Sequence, residues 1–394
     1  MSAFIRLAEL AVPGGFVGGP FGSNLVSNDY VPDGIPVIRG SNMGRDGRLQ
    51  GPFAFVTEEK FHSDLSRNTA VAGDLIFTQR GTLGQVVRVD NDDTRTYVIS
   101  QSQMRMRLDS TLCNPRFVQM ACGADGFLSQ VNSHAIRSGV PHINLAILKE
   151  LTIPDLYRGL QDRIVEVLGA LEDKIDANRN IGILSDEAIR ASYARLPMSP
   201  SVLGDIAENV RIGVSAEEVA RDEVYVGLEH VGRKILWLQK HGSGVDVASG
   251  KFEFAAGDTL FGRLRPYFHK VAIAPGRGVC STDILVIRPR MSENAMLTAA
   301  AASSEAVVTT AVRASNGTKM PRAKWIDVAA SSIPDPMSTA VREFCDVAES
   351  IARRAISATE ENSCLAATRD ELLPLLMSGK ITVKDAEKTV EEVV

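Results

Sequence analysis

Two short stretches of the sequence carry residue types that could do chemistry. Asp155 precedes Glu172 and Lys174 at a spacing that could mimic the carboxylates and the lysine of a metal-dependent nuclease. The run Asn114–Phe117 reads Asn-Pro-Arg-Phe, close to the Asn-Pro-Pro-Phe motif of methyltransferases that act on a base amino group. Such an enzyme also needs a glycine-rich cofactor loop after a strand. No such loop precedes this run, so we interpret the match as chance.

The nuclease hypothesis conflicts with the position of its residues. Glu172 and Lys174 fall inside a long helical pattern, where their spacing is typical of a solvated face. The equivalent positions 180 residues later hold Ala352 and Arg354, so a second copy of the site would lack its carboxylate. The hypothesis stays open as an alternative, and a cleavage assay with added metal on the isolated chain would decide it.

The sequence indicates no phosphate cradle, metal site or disulfide framework. The run Gly14–Gly22 lacks the Gly-x4-Gly-Lys-Ser/Thr pattern of a nucleotide-binding loop, and we expect a flexible turn there. The five cysteines form no Cys-x-x-Cys pair, and the six histidines have no metal-binding spacing. We therefore expect free thiols, no metal and no cofactor.

The element that must position the other residues is a long helix that occurs twice. Its apolar residues follow the 3-4-3 spacing of one helical seam, at Ile164, Leu168, Leu171 and Ile175 and again at Phe344, Ala348, Ile351 and Ala355. The dipeptides Ile153-Pro154 and Ile333-Pro334 introduce the two copies at the same offset. Two unrelated surface helices would not share that offset.

These patterns predict helices over 156–195 and 336–376 that pack side by side. We expect the four seam residues of the first helix to contact Phe344, Ile351 and Ala355 of the second. Asn178 extends the first seam, where a polar residue would fix the register at some cost in stability.

The segments before the two helices also repeat, with weaker similarity. Gly73–Phe77 corresponds to Gly257–Phe261, and each is followed by a loop that carries arginine. Short β-type runs broken by turn residues predict a β-rich lobe in each half. The fold class is therefore predicted to be α+β, with lobes at 1–155 and 201–335, and Arg195–Ser201 as the linker after the first helix.

The charge distribution does not identify a partner by itself. The net charge is -5, but residues 1–155 hold 14 Lys and Arg against 15 Asp and Glu, and residues 201–335 hold 16 against 15. A protein scaffold without DNA contact therefore remains a second alternative. Met1–Arg6 is not typical of a signal peptide, and no apolar run is long enough to cross a bilayer, so we expect a cytoplasmic protein with no membrane partner.

Four motifs together resemble one family, the specificity (S) subunits of type I restriction-modification systems. The matching stretches are Tyr30–Asn42, Gly73–Phe77 with Arg80–Gly84, Tyr225–Val231 and Arg369–Ile381. Two features depart from the family pattern. The loop Gly19–Ser23 has no clear equivalent near Arg211, and Gln161 follows Leu160 where the family has Glu.

The resemblance implies two target-recognition domains, 1–155 and 201–335, each reading half of a split double-stranded DNA sequence. It implies a pseudo-two-fold arrangement, in which antiparallel coiled-coil helices within 156–200 and 336–394 separate the domains. It also implies that the chain has no catalysis of its own, docks two methylation (M) subunits, and meets restriction (R) subunits through the M complex. Because the lobes share only framework residues, we expect an asymmetric target.

The candidate DNA contacts lie in loops after equivalent strands. Arginine and lysine can reach phosphates or guanine edges, and Asn, Thr, Tyr and His can hydrogen-bond to bases or phosphates. The candidates are Arg39, Asn42, Arg80, Thr82, His230, Arg263, Arg265, Tyr267, Lys319 and Arg322.

Overall fold

The structure is a computed structural model that describes residues 3–44, 46–90, 93–137, 139–315 and 320–393. The fold is mixed α+β, with several small sheets and two long helices. The elements form two compact units. The first unit comprises Met1–Glu172 and Ala366–Val394, and the second unit comprises Asp173–Leu365.

The first unit contains the first half of the strands. They are β1 (Phe4–Arg6), β2 (Ala11–Gly18), β3 (Tyr30–Val31), β4 (Ile35–Ile38), β5 (Ala54–Val56), β6 (Thr69–Ala70), β7 (Leu75–Thr78), β8 (Val86–Arg88), β9 (Tyr97–Ile99), β10 (Gln103–Leu108) and β11 (Thr152–Pro154). Its helices are α1 (Glu58–Lys60), α2 (Pro115–Gly123), α3 (Asp125–His134), α4 (Leu145–Glu150) and the start of α5 (Arg158–Ala194).

The predicted flexible turn at Gly14–Gly22 is wrong over its first half. Residues up to Gly18 belong to β2, which pairs antiparallel with β10, with Phe16 opposite Met106 and Val17 opposite Arg105. Glycine weakens a strand because it loses more conformational entropy. Pairing with a buried neighbouring strand offsets that cost, and the sequence of β2 alone does not reveal it.

The second unit repeats this series of elements. Its strands are β12 (Met198–Val202), β13 (Ala207–Val210), β14 (Gly213–Val214), β15 (Val224–Val226), β16 (Gly242–Ser243), β17 (Lys251–Phe254), β18 (Thr259–Gly262), β19 (Val271–Ile273), β20 (Gly278–Cys280), β21 (Ile284–Pro289) and β22 (Ser332–Pro334). Its helices are α6 (Leu203–Ile206), α7 (Ala295–Ala302), α8 (Glu305–Ala314), α9 (Trp325–Ala329) and most of α10 (Thr339–Ser378). The short α11 (Val383–Glu391) lies in the first unit. The predicted linker Arg195–Ser201 is partly a strand, because β12 pairs with β22.

The two units share their sheet topology. The four-stranded sheets have the orders β2-β10-β7-β8 and β13-β21-β18-β19, which correspond strand for strand along the chain. In the five-stranded sheets, β5-β4-β9-β6 corresponds to β16-β15-β20-β17, with one parallel pair in the middle of each. The fifth strand differs, because β3 adds to β5 whereas β14 adds to β17. The predicted duplication is therefore present in the topology, and the units differ at one sheet edge.

The core of the second unit lies between its four-stranded sheet and the alanine-rich α7. Trp237, Phe261 and Leu297 are almost completely buried in it. Among the described residues, no single helix is long and apolar enough to cross a membrane. One pair of helices, Ser292–Ala302 and Glu305–Ala314, reaches the required length and apolar composition when taken together, but the chain bends by 64° between them. Most of α7 is buried in this core.

Helices α5 and α10 begin and end close to their predicted bounds. The seam residues Ile164, Leu168, Leu171 and Ile175 are all buried. In the second unit the helices run antiparallel: Asn178 Nδ2 donates to Glu361 Oε2 at 2.6 Å, and the rings of Tyr193 and Phe344 lie 6.0 Å apart.

The predicted pairing along the seam is wrong. Phe344 and Ala355 belong to a core cluster that contains Ile189 and Tyr193 of α5 but not Ile175. The carbonyl of Ile175 instead accepts a hydrogen bond of 3.2 Å from Asn362 Nδ2. In an antiparallel pair, residue numbers rise along one helix while they fall along the other. A constant offset of 180 therefore marks equivalent positions in the repeat and not neighbours.

Candidate nucleic-acid interface

An arginine-bearing loop is closed in the same way in each unit. After β7, the Ile143 N–H donates to the Gln79 carbonyl at 3.0 Å, and Arg80 forms an antiparallel bridge with His142. After β18, the Ala323 N–H donates to the Arg263 carbonyl at 2.9 Å.

Leu264 and Arg322 complete the second closure with a bridge of the same kind. Both loops are therefore tied to the segment that precedes a short helix, α4 or α9. This tie fixes where the loop side chains leave the backbone, which is a requirement for reading a base edge.

In the first unit the loop borders an open groove of about 1090 Å³. The groove is lined by polar and basic side chains, including Asn24, Arg67, Arg80, Gln101 and Asn144. Within the described part of the chain, neither Arg67 nor Arg80 has an acidic partner, and both are exposed. Two unpaired guanidinium groups on one groove match the spaced phosphates of a nucleic-acid backbone.

In the second unit the corresponding loop lies in a group of arginines. Arg263 is half-buried beside Asp283, and Arg211 and Arg322 are close enough to influence its charge. Burial lowers the pKa of the Arg263 guanidinium, Asp283 opposes this shift, and the two neighbouring arginines add to it. Arg263 therefore has two arginines and one carboxylate as charged neighbours, and an added phosphate would offset the repulsion between the arginines.

Two further side chains of this loop face solvent. Arg265 is exposed and sits at φ 51°, a left-handed conformation that a non-glycine residue rarely adopts. Its N–H donates to the Pro321 carbonyl at 2.8 Å, which holds the backbone in that conformation. Tyr267 is 53% exposed and packs its ring against Phe268, at 4.8 Å between centroids. Both side chains are free to meet a ligand.

The fold of this chain has counterparts among solved structures. No protein-family model matches the sequence, and no curated protein matches it. The type I restriction-modification S subunit from M. genitalium, in contrast, is similar in structure over 95% of this chain and 96% of its own, with a TM-score of 0.53 and 15% sequence identity.

This chain has the fold of a type I restriction-modification S subunit. The HsdS subunit from Thermoanaerobacter tengcongensis also matches, at 14% identity over 96% of this chain and 97% of its own, with a TM-score of 0.37.

Within the S-subunit fold, two predicted DNA contacts have structural roles instead. Asn42 is 1% exposed, and its Nδ2 donates to the carbonyls of Gln50 and Pro52 at 2.8 and 2.9 Å. His230 accepts a bond of 3.0 Å from the Gly227 N–H through Nδ1. Asn42 holds its loop, since a buried polar group must find a partner, and the half-buried His230 uses one ring nitrogen in the same way. We therefore remove Asn42 from the candidate interface and treat His230 as a residue that fixes its loop.

The other predicted contacts remain candidates to different degrees. Thr82 is exposed, and Arg39 is half-buried with its guanidinium 5.7 Å from the ring centroid of Tyr30. Arg322 is paired with Asp283 at 2.8 Å, an exposed ion pair of the kind that contributes little. Lys319 lies outside the described residues.

Four residues of the candidate interface are absent from the contacts predicted from the sequence. Arg67, Gln101 and Phe21 line the first groove, and Arg211 lies beside Arg263. Arg67 stands alone in its segment, and Gln101 lies in a repeated run, Ser100–Ser102, that corresponds to Cys280–Thr282 but does not by itself indicate a DNA contact. Only the Gly-Pro-Phe-Gly-Ser run around Phe21 carried a signal, as a motif without a counterpart in the second half.

The two stretches that resembled catalytic motifs in the sequence, the methyltransferase-like run and the nuclease-like set, have roles in helix packing. Asn114 caps α2, where its Oδ1 accepts from the Arg116 N–H at 2.9 Å. Its own N–H donates to Gln161 Oε1 at 2.7 Å, which docks the first turn of α5. Arg116 in turn pairs with Glu172 at 3.0 Å. The Asn-Pro-Arg-Phe run is thus a helix start.

The nuclease-like residues also make contacts between helices. Its carboxylate Glu172 holds Arg116, and its lysine, Lys174, pairs with Glu361 at 3.2 Å. Both side chains are engaged in contacts between helices. A catalytic pair, in contrast, would have to point into an open site.

Proposed function

We propose that this chain is the DNA-specificity subunit of a type I restriction-modification complex. The observation that carries the proposal is the similarity of fold to an S subunit over 95% of this chain and 96% of the other. Partial matches are common among small α+β domains, but a match over two lobes and two long helices involves the whole arrangement of elements. The unpaired arginines of the first groove support DNA over protein as the partner.

The proposed target is bipartite and asymmetric. Residues 1–155 and 201–335 would form the two target-recognition domains, related by a pseudo-two-fold axis. Their sheet frameworks correspond, but the first presents Arg67 and Arg80 on a groove, while the second presents Arg263 in a group of arginines and Arg265 exposed on the same loop. Identical readers would require a palindrome, so different readers imply two different half-sites.

The long helices are proposed to be the spacer and the docking surface. Residues 156–200 and 336–394 would form an antiparallel coiled coil that holds the two domains apart. The same helices would dock two methylation subunits, and restriction subunits would join through them. In this role the chain is non-catalytic and acts in the cytoplasm, where the DNA of its host lies.

The deciding experiment maps methylation. Cells that lack endogenous methylation would express the chain together with its methylation subunits, and modified adenines or cytosines would be mapped across the genome. We expect one asymmetric motif of two base clusters separated by a gap of fixed length, and no motif without the chain. A palindromic motif, or methylation independent of the chain, would contradict the proposal.

The same preparations separate the alternatives. A protein scaffold would leave the methylation motif unchanged when the chain is omitted. A nuclease would cut DNA as the isolated chain with added divalent metal, and Glu172→Gln would abolish the cleavage. We expect no cleavage by the wild-type chain.

A further inference from the structure

The side chain of Phe21 projects from the rim of the first-unit groove and is 89% exposed. We propose that Phe21 is an aromatic wedge that enters the DNA beside the half-site of the first unit and separates two stacked base pairs. This inference rests on the proposed function and adds a specific contact to it.

The loop that carries Phe21 is held at both ends. The Gly19 N–H donates to the Gln103 carbonyl at 2.9 Å, and Pro20 is buried. On the other side of the ring, Gln101 Nε2 donates to the Leu25 carbonyl at 2.5 Å and to the Gly22 carbonyl at 3.3 Å. The exposure of the ring is therefore imposed by an anchored backbone.

The two flanking glycines are required by this geometry. A Cβ on Gly19 would come within 2.7 Å of the Gln101 backbone, so no larger residue fits without moving that backbone. Gly22 has φ +56°, in the left-handed region that favours glycine. The Asn24 N–H donates to the Phe21 carbonyl at 3.1 Å and closes the turn. These contacts fix the backbone from which the ring projects.

The exposure of the ring indicates how it would meet DNA. A platform for one splayed base has one face packed on the protein, whereas a ring between two base pairs needs both faces free. At 89% exposure, neither face of Phe21 is covered. Apolar wedges of this kind unstack a base step and bend the duplex. Arg67 and Arg80 line the same groove and would hold the backbone on either side of the bend.

The test uses the full chain with its methylation subunits and a target duplex selected from a random library. 2-Aminopurine, which fluoresces when unstacked, is placed at each step of the first-unit half-site. The variants are Phe21→Ala, Phe21→Trp and, as a matched control, Phe4→Ala, because Phe4 is also exposed, at 65%, but lines none of the groove.

We expect the wild type, Phe21→Trp and Phe4→Ala to raise the fluorescence at one step. Phe21→Ala should lose that signal and bind about tenfold to a hundredfold more weakly, with the thermal midpoint unchanged because the ring is exposed. The wedge is refuted if Phe21→Ala behaves like Phe4→Ala, or if its affinity falls while no step of the wild-type complex unstacks.

The outcomes distinguish the wedge from the function on which it rests. A complex that selects a bipartite target and binds it without a Phe21-dependent signal refutes the wedge alone. A complex that selects no sequence at all refutes both.

Discussion

Asp258 and Arg288 form a two-point ion pair, with Nε to Oδ1 at 2.8 Å and Nη2 to Oδ2 at 2.7 Å, and Asp74 and Arg107 repeat it with the same two distances. Each aspartate is almost fully buried and also accepts the backbone N–H three residues earlier, from Ala255 or Val71. The Gly-Asp motif thus ties the turn before β7 or β18 to the neighbouring strand, β10 or β21.

The first prediction compares the two copies of this ion pair. Asp74→Asn should lower the free energy of unfolding by about 3–5 kcal/mol, because it leaves the buried Arg105, at 3.9 Å from Asp74, without a counter-charge. Asp258→Asn should cost less, about 1–3 kcal/mol, because Arg288 is 32% exposed and reaches water. Hydrogen exchange resolved by unit, together with thermal unfolding, measures both. An equal or larger loss for Asp258→Asn would contradict this explanation.

The second prediction concerns the basic loops. Replacing Arg263 and Arg265 with Ala should weaken recognition of one half-site, by roughly 1–3 kcal/mol for each lost base contact, and leave the other half-site intact. Replacing Arg67 and Arg80 should have the reverse effect. Binding is measured with duplexes in which one half-site is scrambled. Arg290→Ala is the control. Asp283 directly precedes β21, whereas Arg290 directly follows this strand and pairs with Glu208. Equal losses at both half-sites would refute the assignment.

The third prediction is a pH dependence at the helix seam. The hydrogen bond from Asn178 and the ion pair with Lys174 hold the pKa of Glu361 below its ordinary range. The carboxylate therefore stabilises the fold fully above the ordinary glutamate pKa, and this contribution is lost as the pH falls through the lowered value. Glu361→Gln should flatten the acid side of the stability curve, measured by urea unfolding between about pH 3 and 7.

The control for this measurement is Glu208→Gln, because Glu208 is exposed and its pair with Arg290 is open to solvent. An acid limb of unchanged slope in Glu361→Gln would show that another group carries the pH dependence.

The fourth prediction uses the helices as a ruler. Helix α5 has 37 residues, which corresponds to about 56 Å at roughly 1.5 Å per residue. Because Asn178 faces Glu361, an insertion must be made in both helices to keep the seam matched. Seven residues after Asn178 and seven before Glu361 preserve the heptad and add about 10 Å, or about three base pairs of DNA.

We expect the gap in the methylation motif to lengthen by about three base pairs while both half-sites stay the same. A seven-residue insertion at Gly250, which lies in an exposed loop, should leave the gap unchanged. An active double insertion that keeps the original gap would show that the helices do not set the distance.

Repeated and local features of this protein are determined by the sequence alone. The bounds of α5 and α10 were predicted within three residues, because an apolar period of 3.6 is a property of one segment. The repeat itself was indicated by the two Gly-Asp motifs, and in the structure each has a left-handed glycine, at Gly73 or Gly257, before a buried strand. Such signals need no knowledge of distant residues.

Contacts between distant residues were decided by the tertiary structure. Asn42 is a loop anchor only because two carbonyls, of Gln50 and Pro52, come within reach of its amide. The antiparallel course of the helices decides that Asn178 meets Glu361, which a repeat at constant offset does not contain. Arg67 and Arg80 line one groove although they flank strands of different sheets, β6 and β7. In each case the deciding interaction joins segments whose separate sequences are compatible with several partners, and packing selects one of them.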